Sequence, residues 1–239
     1  MKKIKPLGQK SYGSIPHMIG SRMGPADKHC EPGQQDICTK KARDYKDLII
    51  VQEKLDGSNC SVAKINGEIY ALGRSGYLAE SSPFEQHIYF AEWVKKYKLR
   101  FKALLNEGER ICGEWLLQAH STRYNLHHEP FVVFDIMRGH DRLIYHSFLK
   151  RVLPKGFIIP RLIHIGQPIK LEKVLSKLEP SGHGAIDMVE GCVYRCERDN
   201  KVDFLIKYVR PDKEDGIYLP ERSDKPIIWN INPVFYDLH

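Results

Sequence analysis

The sequence has no long apolar run. Its longest hydrophobic stretches fall well short of the roughly 18 residues that a membrane-spanning helix needs. The N-terminal residues MKKIKP are basic, but no apolar stretch of signal-peptide length follows them. These absences predict an intracellular, cytoplasmic protein with no membrane partner.

Cysteine is sparse and is not arranged to bind a metal. The six cysteines lie at positions 30, 38, 60, 112, 192 and 196. Cys192 and Cys196 fall in or beside one predicted strand, and no second Cys or His pair accompanies them. Structural zinc is therefore not expected, and the thiols should be free in a reducing compartment.

Negative charge is in the minority. The chain has 37 Lys and Arg against 30 Asp and Glu, a net charge of +7, and a pI of about 9.0. This balance favours polyanionic partners such as nucleic acid. The 239 residues, 42% hydrophobic and 28% charged, are ordinary for a globular protein and sufficient for a sizeable core.

Three strands are predicted between residues 48 and 72. The apolar run 48–51 is typical of a buried strand. Residues 61–65 and 68–72 follow, joined by Asn66-Gly67, the strongest short signal for a β-hairpin.

Lys54 stands where the first of these strands ends, just before Asp56 and Gly57. Burial disfavours the ammonium form, so we expect a lowered lysine pKa and a neutral amine available as a nucleophile. The alternative is a strand-end lysine that extends to water.

Six short motifs follow one another from residue 54 to residue 210. They are 54–57 (KLDG), 73–76 (GRSG), 113–116 (GEWL), 131–136 (FVVFDI), 190–195 (EGCVYR) and 205–210 (LIKYVR). In this order they resemble the motifs of the covalent nucleotidyltransferases, which comprise ATP-dependent DNA ligases, RNA ligases and mRNA capping enzymes.

One position within the first motif separates these classes. DNA ligases and capping enzymes usually carry Arg two residues after the motif glycine, whereas this chain has Asn59. Asparagine at this position resembles the pattern of the RNA ligase 2-type branch of ATP-dependent RNA ligases. Residues 15–22 and 113–136 also resemble that branch.

The resemblance implies an α+β nucleotidyltransferase (adenylation) domain, built on antiparallel sheets with the nucleotide between them. In the family, the motif lysine attacks the α-phosphate of ATP, AMP passes to a 5′-phosphate, and a 3′-hydroxyl displaces AMP. Carried over, this makes Lys54 the catalytic lysine of an ATP-dependent RNA ligase. A DNA-end ligase, a capping guanylyltransferase and a non-catalytic RNA-end-binding protein are the alternatives, and the joined ends are RNA, DNA or a hybrid.

The resemblance also assigns the ligands of ATP and of Mg²⁺ or Mn²⁺. Phe134 would stack on the purine, with Phe131 as the alternative, and Glu53 would lie near the adenine through its backbone. The metal would be held by Asp56, Glu114 and Glu190 through water. The predicted nucleotide site comprises Glu53, Lys54, Asn59, Arg74, Glu114, Phe134, Glu190 and Lys207.

The fifth motif departs from the family pattern. The family usually has Lys-x-Lys, and here Lys207 matches the first lysine while Val209 occupies the second position. Arg210 is a candidate substitute. Arg22, earlier in the chain, is either a phosphate ligand or a solvated turn residue.

We expect one nucleotidyltransferase domain over residues 1–239. Residues 1–46 are loop-rich, with a candidate strand at 15–18; residues 47–210 carry the motifs; and residues 211–239 form a short tail. The tail has no room for an OB-fold domain, so we expect the domain either to act alone or to use a partner protein that supplies extra contacts to nucleic acid.

Helices are predicted at 147–153, at 171–178 and after Ser82. Ser82 would cap the last of these, with Pro83 at its first position and Glu85 completing a capping box. Its apolar face would comprise Phe90, Val94, Tyr97, Phe101 and Leu104.

Overall fold

The computed structural model describes residues 4–223 and 226–232. The strands in chain order are β1 (Leu48–Lys54), β2 (Ser58–Ile65), β3 (Glu68–Gly73), β4 (Glu109–Trp115), β5 (Phe131–Arg138), β6 (Asp141–Arg142), β7 (Leu162–Gly166), β8 (Gly191–Arg198) and β9 (Lys201–Val209). The helices are α1 (Gln34–Thr39), α2 (Glu85–Lys96), α3 (Lys98–Leu104), α4 (Tyr145–Val152), α5 (Leu171–Leu175) and α6 (Pro220–Ser223).

The strands form two antiparallel sheets. The first sheet has the order β7-β1-β8-β9, and the second has the order β3-β2-β4-β5-β6. The helices surround them, so the fold is α+β on antiparallel sheets, as the sequence predicts. None of the helices in the described ranges is both long and apolar enough to cross a membrane.

Strand β1 is covered on both faces. Ile49 and Val51 lie in one buried cluster, whereas Ile50 lies in another that contains α2, α3 and α4 side chains. Because side chains alternate along a strand, Gln52 and Lys54 share the face of Ile50, and Glu53 shares the opposite face. The residues before the motif lysine are therefore divided between two environments.

Two hairpin turns are present, and the first is the predicted Asn66-Gly67 turn. Asn66 (φ 52°) and Gly67 (φ 75°) join β2 to β3, and Asp199 (φ 48°) and Asn200 (φ 58°) join β8 to β9. Two consecutive residues with positive φ match the right-handed twist of the flanking strands.

The prediction of one capped helix after Ser82 is wrong. Helix α2 begins at Glu85, and the Ser82 hydroxyl accepts the Phe84 N–H (3.2 Å) and bonds the His87 ring instead of capping. The helix also ends at Lys96, and α3 begins at Lys98. The predicted apolar face nevertheless packs into the core, with Tyr97 only partly buried.

Two other predicted elements are shorter than expected. Helix α5 ends at Leu175, three residues before the predicted limit. Residues 15–18 form no strand of their own, and His17 makes isolated bridges to His29 and Lys207.

The segment 11–22 runs across the cleft side of both sheets. The Ser11 hydroxyl donates to Gly73 O at the end of β3 (2.7 Å). Further along, Lys207 N donates to Pro16 O (2.9 Å) and Met18 N donates to Lys207 O (2.8 Å), so the segment pairs with the free edge of β9. It therefore holds parts of both sheets.

A buried carboxylate also connects the two sheets. Asp135 on β5 accepts hydrogen bonds from the guanidinium of Arg195 on β8, from Arg142 Nε on β6 (3.1 Å) and from the Tyr12 hydroxyl (2.7 Å). Asp135 and Arg195 are almost fully buried, so each charge needs the other to offset the cost of its burial.

We expect Asp135→Ala to destabilise the protein by about 3–5 kcal/mol, because it leaves the Arg195 charge buried without a partner. Tyr12→Phe removes only one hydrogen bond to the same carboxylate and should cost about 1.5–3 kcal/mol. Urea denaturation of the three proteins measures both values. This account would be contradicted if Asp135→Ala lowered the free energy of unfolding by less than Tyr12→Phe does.

Candidate active site

Lys54 lies where two cavities meet between the sheets. The smaller cavity has a volume of about 140 Å³, and the larger has a volume of about 940 Å³. Lys54, Asn59, Arg74, Glu114 and Lys207 line both. The predicted motif residues therefore converge on one boundary.

The smaller cavity has largely apolar walls. Phe134, Pro160, Val193 and Leu205 line it, and the Tyr12 ring packs edge-on against Phe134 at 5.1 Å. Phe131, the alternative stacking residue, is fully buried in the core away from this cavity. Phe134 is thus the aromatic residue of β5 that is available to a planar ligand.

Lys54 faces three carboxylates. Its ammonium donates to Glu190, and the charges of Glu114 and Asp56 are also close enough to act on it. Burial alone would lower the pKa of Lys54, but the carboxylates outweigh it and raise the pKa above the ordinary lysine value. The expected lowering of the Lys54 pKa is therefore wrong for the ligand-free protein.

Glu114 lies directly across from Asn59 in the pairing of β4 with β2. Burial raises the pKa of Glu114 to about 8, opposed by Lys54 and aided by the charges of Glu190 and Asp56. The Oδ1 atom of Asn59 is buried and has no hydrogen-bond partner among the described residues. An unsatisfied acceptor in a cavity wall favours a bound donor, such as a hydroxyl or a hydrated cation.

The turn between β1 and β2 fixes Asp56. One oxygen of its carboxylate accepts the Ser121 N–H (2.7 Å), and its own N–H donates to the Tyr124 hydroxyl (3.0 Å). A Cβ atom on Gly57 would lie 2.6 Å from Trp115 O. Only glycine therefore allows the turn to approach β4 this closely.

Lys207 and Arg74 supply positive charge on the other side of Lys54. Burial lowers the pKa of Lys207, and the nearby Lys54 charge lowers it further. Asp27 Oδ1 lies 3.8 Å from Lys207 Nζ, and its other oxygen lies 3.1 Å from His17 Nε2. Arg74 is exposed and donates to the Ser14 hydroxyl (2.9 Å).

The Glu53 side chain points away from the cavities, toward the opposite face of β1. Its carboxylate accepts from the Ser181 hydroxyl and from Gly182 N (2.8 Å), and Arg161 Nε lies 3.4 Å away. Any role of Glu53 toward a ligand must therefore come from its backbone, as expected.

Gln52 is a cavity residue that sequence reasoning missed. Its Nε2 donates to Pro160 O (3.2 Å), which orients the amide and leaves Oε1 without a partner in the described part of the chain. The available signal was the two-residue period of β1, which places Gln52 on the face of Lys54.

Arg210 does not replace the missing second lysine. Its guanidinium lies 3.9 Å from Glu179 and lines neither cavity. Alternation along the strand explains this, because Val209 shares the face of Lys207 and the next residue points elsewhere.

The family model for RNA ligase matches residues 47–209, which is more than half of the chain. The chain belongs to the RNA ligase family. The predicted family is thus confirmed, and its motif-bearing region coincides with the two sheets.

Solved RNA ligases share this fold. An archaeal ATP-dependent RNA ligase aligns with a TM-score of 0.52 and 18% identity, over 83% of this chain and 48% of that chain. The Naegleria gruberi RNA ligase with PPi aligns with a TM-score of 0.52 and 20% identity, over 88% and 62%. The chain therefore spans about half to three fifths of these ligases.

One curated relative is similar over a shorter region. An uncharacterised protein of Methanocaldococcus jannaschii is 32% identical over 105 residues, which are 44% of this chain and 23% of that protein.

The three carboxylates of this RNA ligase family member are not a preformed metal cluster. Within residues 4–223 and 226–232, no group of three or more His, Cys, Asp or Glu side chains is placed to bind an ion directly. The raised pKa of Glu114 and the unsatisfied Asn59 Oδ1 nevertheless fit a hydrated divalent cation, which would relieve the crowding of negative charge.

Among the described residues, the histidines do not add a metal site. His120 Nε2 bonds to Gln86 (3.2 Å), and His128 bonds to His183 (3.0 Å). The six cysteines are free, and five of them are buried. The thiols and imidazoles therefore act as packing and hydrogen-bonding groups.

We expect the stability of the ligand-free protein to depend on pH through Glu114. Between the ordinary pKa near 4.5 and about 8, the folded state keeps a proton that the unfolded chain has lost. Stability contributed by this group is therefore present at low pH and is lost as pH rises through the folded pKa. Glu114→Gln cannot titrate, so its melting temperature relative to the parent should rise from pH 5 to pH 8, by about 2–4 °C per kcal/mol.

Glu92→Gln, an exposed change on α2, is the matched control and should track the parent at every pH. Parallel melting profiles for the parent and Glu114→Gln would show that Glu114 titrates near its ordinary pKa. Adding Mg²⁺ should flatten the parent's profile, because a bound cation favours the ionised carboxylate.

Proposed function

We propose that the protein is an ATP-dependent RNA ligase that forms a lysyl-AMP intermediate on Lys54. The observation that carries the proposal is the position of Lys54, between an apolar cavity of base size and a larger polar cavity. Membership of the RNA ligase family supports the reaction class.

ATP is proposed to bind with its adenine in the smaller cavity. Phe134 would stack on the ring, and Gln52 Oε1 would accept a hydrogen bond from the adenine amino group. The Pro160 carbonyl supports this polarity, because it keeps the amide Nε2 turned toward itself. The α-phosphate would then lie beside Lys54, where the two cavities meet.

The first step needs a neutral Lys54 amine. Glu190, the hydrogen-bond partner of the ammonium, is the acceptor for its proton, and burial raises the pKa of this carboxylate toward that role. The amine then attacks the α-phosphorus, the Nζ–P bond forms, and the bond to the bridging oxygen breaks. Pyrophosphate leaves with the electron pair.

A divalent cation would supply charge neutralisation on the phosphate oxygens. Asp56, Glu114 and Glu190 would hold its water ligands, and Mg²⁺ suits such a site because it keeps most of its hydration shell. Naegleria gruberi RNA ligase has been solved with ATP and Mn, which supports the same ligands here. Lys207 would neutralise phosphate charge from the opposite wall.

The later steps are proposed to join RNA ends. AMP passes from Lys54 to the 5′-phosphate of one strand, and the 3′-hydroxyl of the other attacks that phosphate and releases AMP. Asn59 would contact a ribose hydroxyl through Oδ1, and the lack of a partner for this oxygen among the described residues supports that role. The net charge of +7 favours binding of the strand backbone.

Incubation with ATP and Mg²⁺ should add one AMP to the protein, and intact-mass spectrometry measures it. Lys54→Met should abolish the adduct, because no other side chain has its position. Lys207→Met should slow adduct formation about tenfold or more through loss of charge at the phosphate.

Lys201→Met, at the exposed start of β9, is the control for Lys207 and should label like the parent. An adduct that persists in Lys54→Met would refute the assignment. Stronger labelling with GTP than with ATP would indicate a capping-type guanylyltransferase.

Sealing should require RNA at the junction and low salt. A protein distinguishes RNA from DNA at a given site through the 2′-hydroxyl, and phosphate contacts weaken as salt rises. The measurement uses nicked and single-stranded substrates that differ only in ribose or deoxyribose at the 3′-hydroxyl side. Equal sealing of all-DNA and RNA junctions would leave only a generic polynucleotide ligase.

A further inference from the structure

The Arg22 side chain makes no hydrogen bond or ion pair with the residues that the structure describes. Every other arginine in the described part of the chain donates a hydrogen bond or forms an ion pair through its guanidinium. Arg22 has no such side-chain contact there, yet it is only partly exposed and lines the larger cavity with Lys54 and Lys207.

The backbone of Arg22 is nevertheless fixed. Its N–H donates to Val209 O (3.0 Å), and Val209 N donates to the Ser21 hydroxyl (2.9 Å). The neighbouring turn is closed by Ser21 N donating to Met18 O (3.2 Å). An anchored backbone lowers the entropy cost of using the side chain to bind a ligand.

The anchoring places Arg22 where β9 itself supplies no cation. Val209 follows Lys207 on the cleft face of the strand and lines the same cavity. The Arg210 guanidinium points toward Glu179 instead. Segment 16–22 therefore brings a positive charge beside Val209 from a different part of the chain.

The geometry of in-line phosphoryl transfer indicates which phosphate would lie near the Arg22 guanidinium. When Lys54 attacks the α-phosphorus, the departing oxygen lies on the far side of that phosphorus. When AMP later leaves Lys54, the attacking oxygen of the RNA 5′-phosphate must approach from the same far side. One phosphate position, opposite Lys54, therefore serves both steps, and it falls in the larger cavity.

We propose that Arg22 binds the phosphate at this shared position. The ligand is the β-phosphate of ATP in the first step and the 5′-phosphate of RNA in the second, and a planar guanidinium fork suits either group. In the second step the new O–P bond forms, the Nζ–P bond breaks, and the electron pair returns to Lys54, which takes back the proton that Glu190 accepted in the first step. This inference rests on the proposed function.

The test starts from protein already charged with AMP. Discharge is measured against inorganic pyrophosphate, which regenerates ATP, and separately against 5′-phosphorylated RNA, which yields adenylated RNA. For Arg22→Met, the concentration for half-maximal discharge should rise about tenfold or more in both assays. Arg22→Lys keeps the charge but not the fork and should fall between the parent and Arg22→Met.

Two controls separate this effect from misfolding. Arg22→Met should melt with the parent, because the guanidinium has no partner in the described residues. Arg210→Met, a matched change on the neighbouring strand, should leave both discharge curves in place.

An unchanged response in either discharge assay would overturn the shared phosphate position. A parent protein that never acquires AMP would refute the proposed function instead. Even then, calorimetric titration of the protein without AMP tests whether Arg22 binds phosphate, with inorganic pyrophosphate as the ligand. Arg22→Met should bind pyrophosphate about tenfold or more weakly than the parent. Equal affinities would refute the role of Arg22.

Discussion

The electrostatics of the cleft depend on one interaction, that of the Lys54 ammonium with three carboxylates between the two sheets. Lys54 ends β1, Glu190 precedes β8, and Glu114 lies on β4, so this interaction exists only when both sheets are docked. The pKa of Lys54 is raised and that of Glu114 reaches about 8, because the negative charges are crowded and poorly hydrated. The ligand-free site thus holds its nucleophile protonated, and a polyphosphate with a divalent cation would change that balance.

Docking of the sheets rests on an ion pair between two of the motifs and on the N-terminal segment 11–22. Asp135 joins β5 to Arg195 on β8, and segment 11–22 contacts the end of β3 and the edge of β9. Because the cavities lie between the sheets, these contacts hold the two walls of the cleft together. The loop-rich N-terminal residues are therefore part of the cleft wall rather than a separate extension.

Local patterns in the sequence predicted what depends on neighbours along the chain. The hairpin at Asn66-Gly67, the strand-end position of Lys54 and the apolar face of α2 and α3 follow from turn residues and periodicity. The helix cap at Ser82 failed because the helix begins at Glu85, two residues later than a Ser82 cap requires, with Phe84 at the capping position. The prediction of a lowered Lys54 pKa failed because burial is evident locally, whereas two of the three opposing carboxylates, Glu114 and Glu190, are distant in sequence. Contacts such as Ser21 with Val209 carry no local signal at all.

The two cavities differ in size and polarity, which suits a reaction in which the nucleotide remains bound while the phosphate-bearing reactants are exchanged. Apolar walls around Phe134 would retain the adenine while AMP is attached to Lys54. The larger cavity has more polar walls, so in the proposed reaction pyrophosphate would leave and a strand end would enter at the same position while AMP stays attached. Positive charge is needed on that side at every step, because each exchanging group is a phosphate. The fold supplies it from two directions, with Lys207 on β9 and Arg22 on the segment paired to its edge.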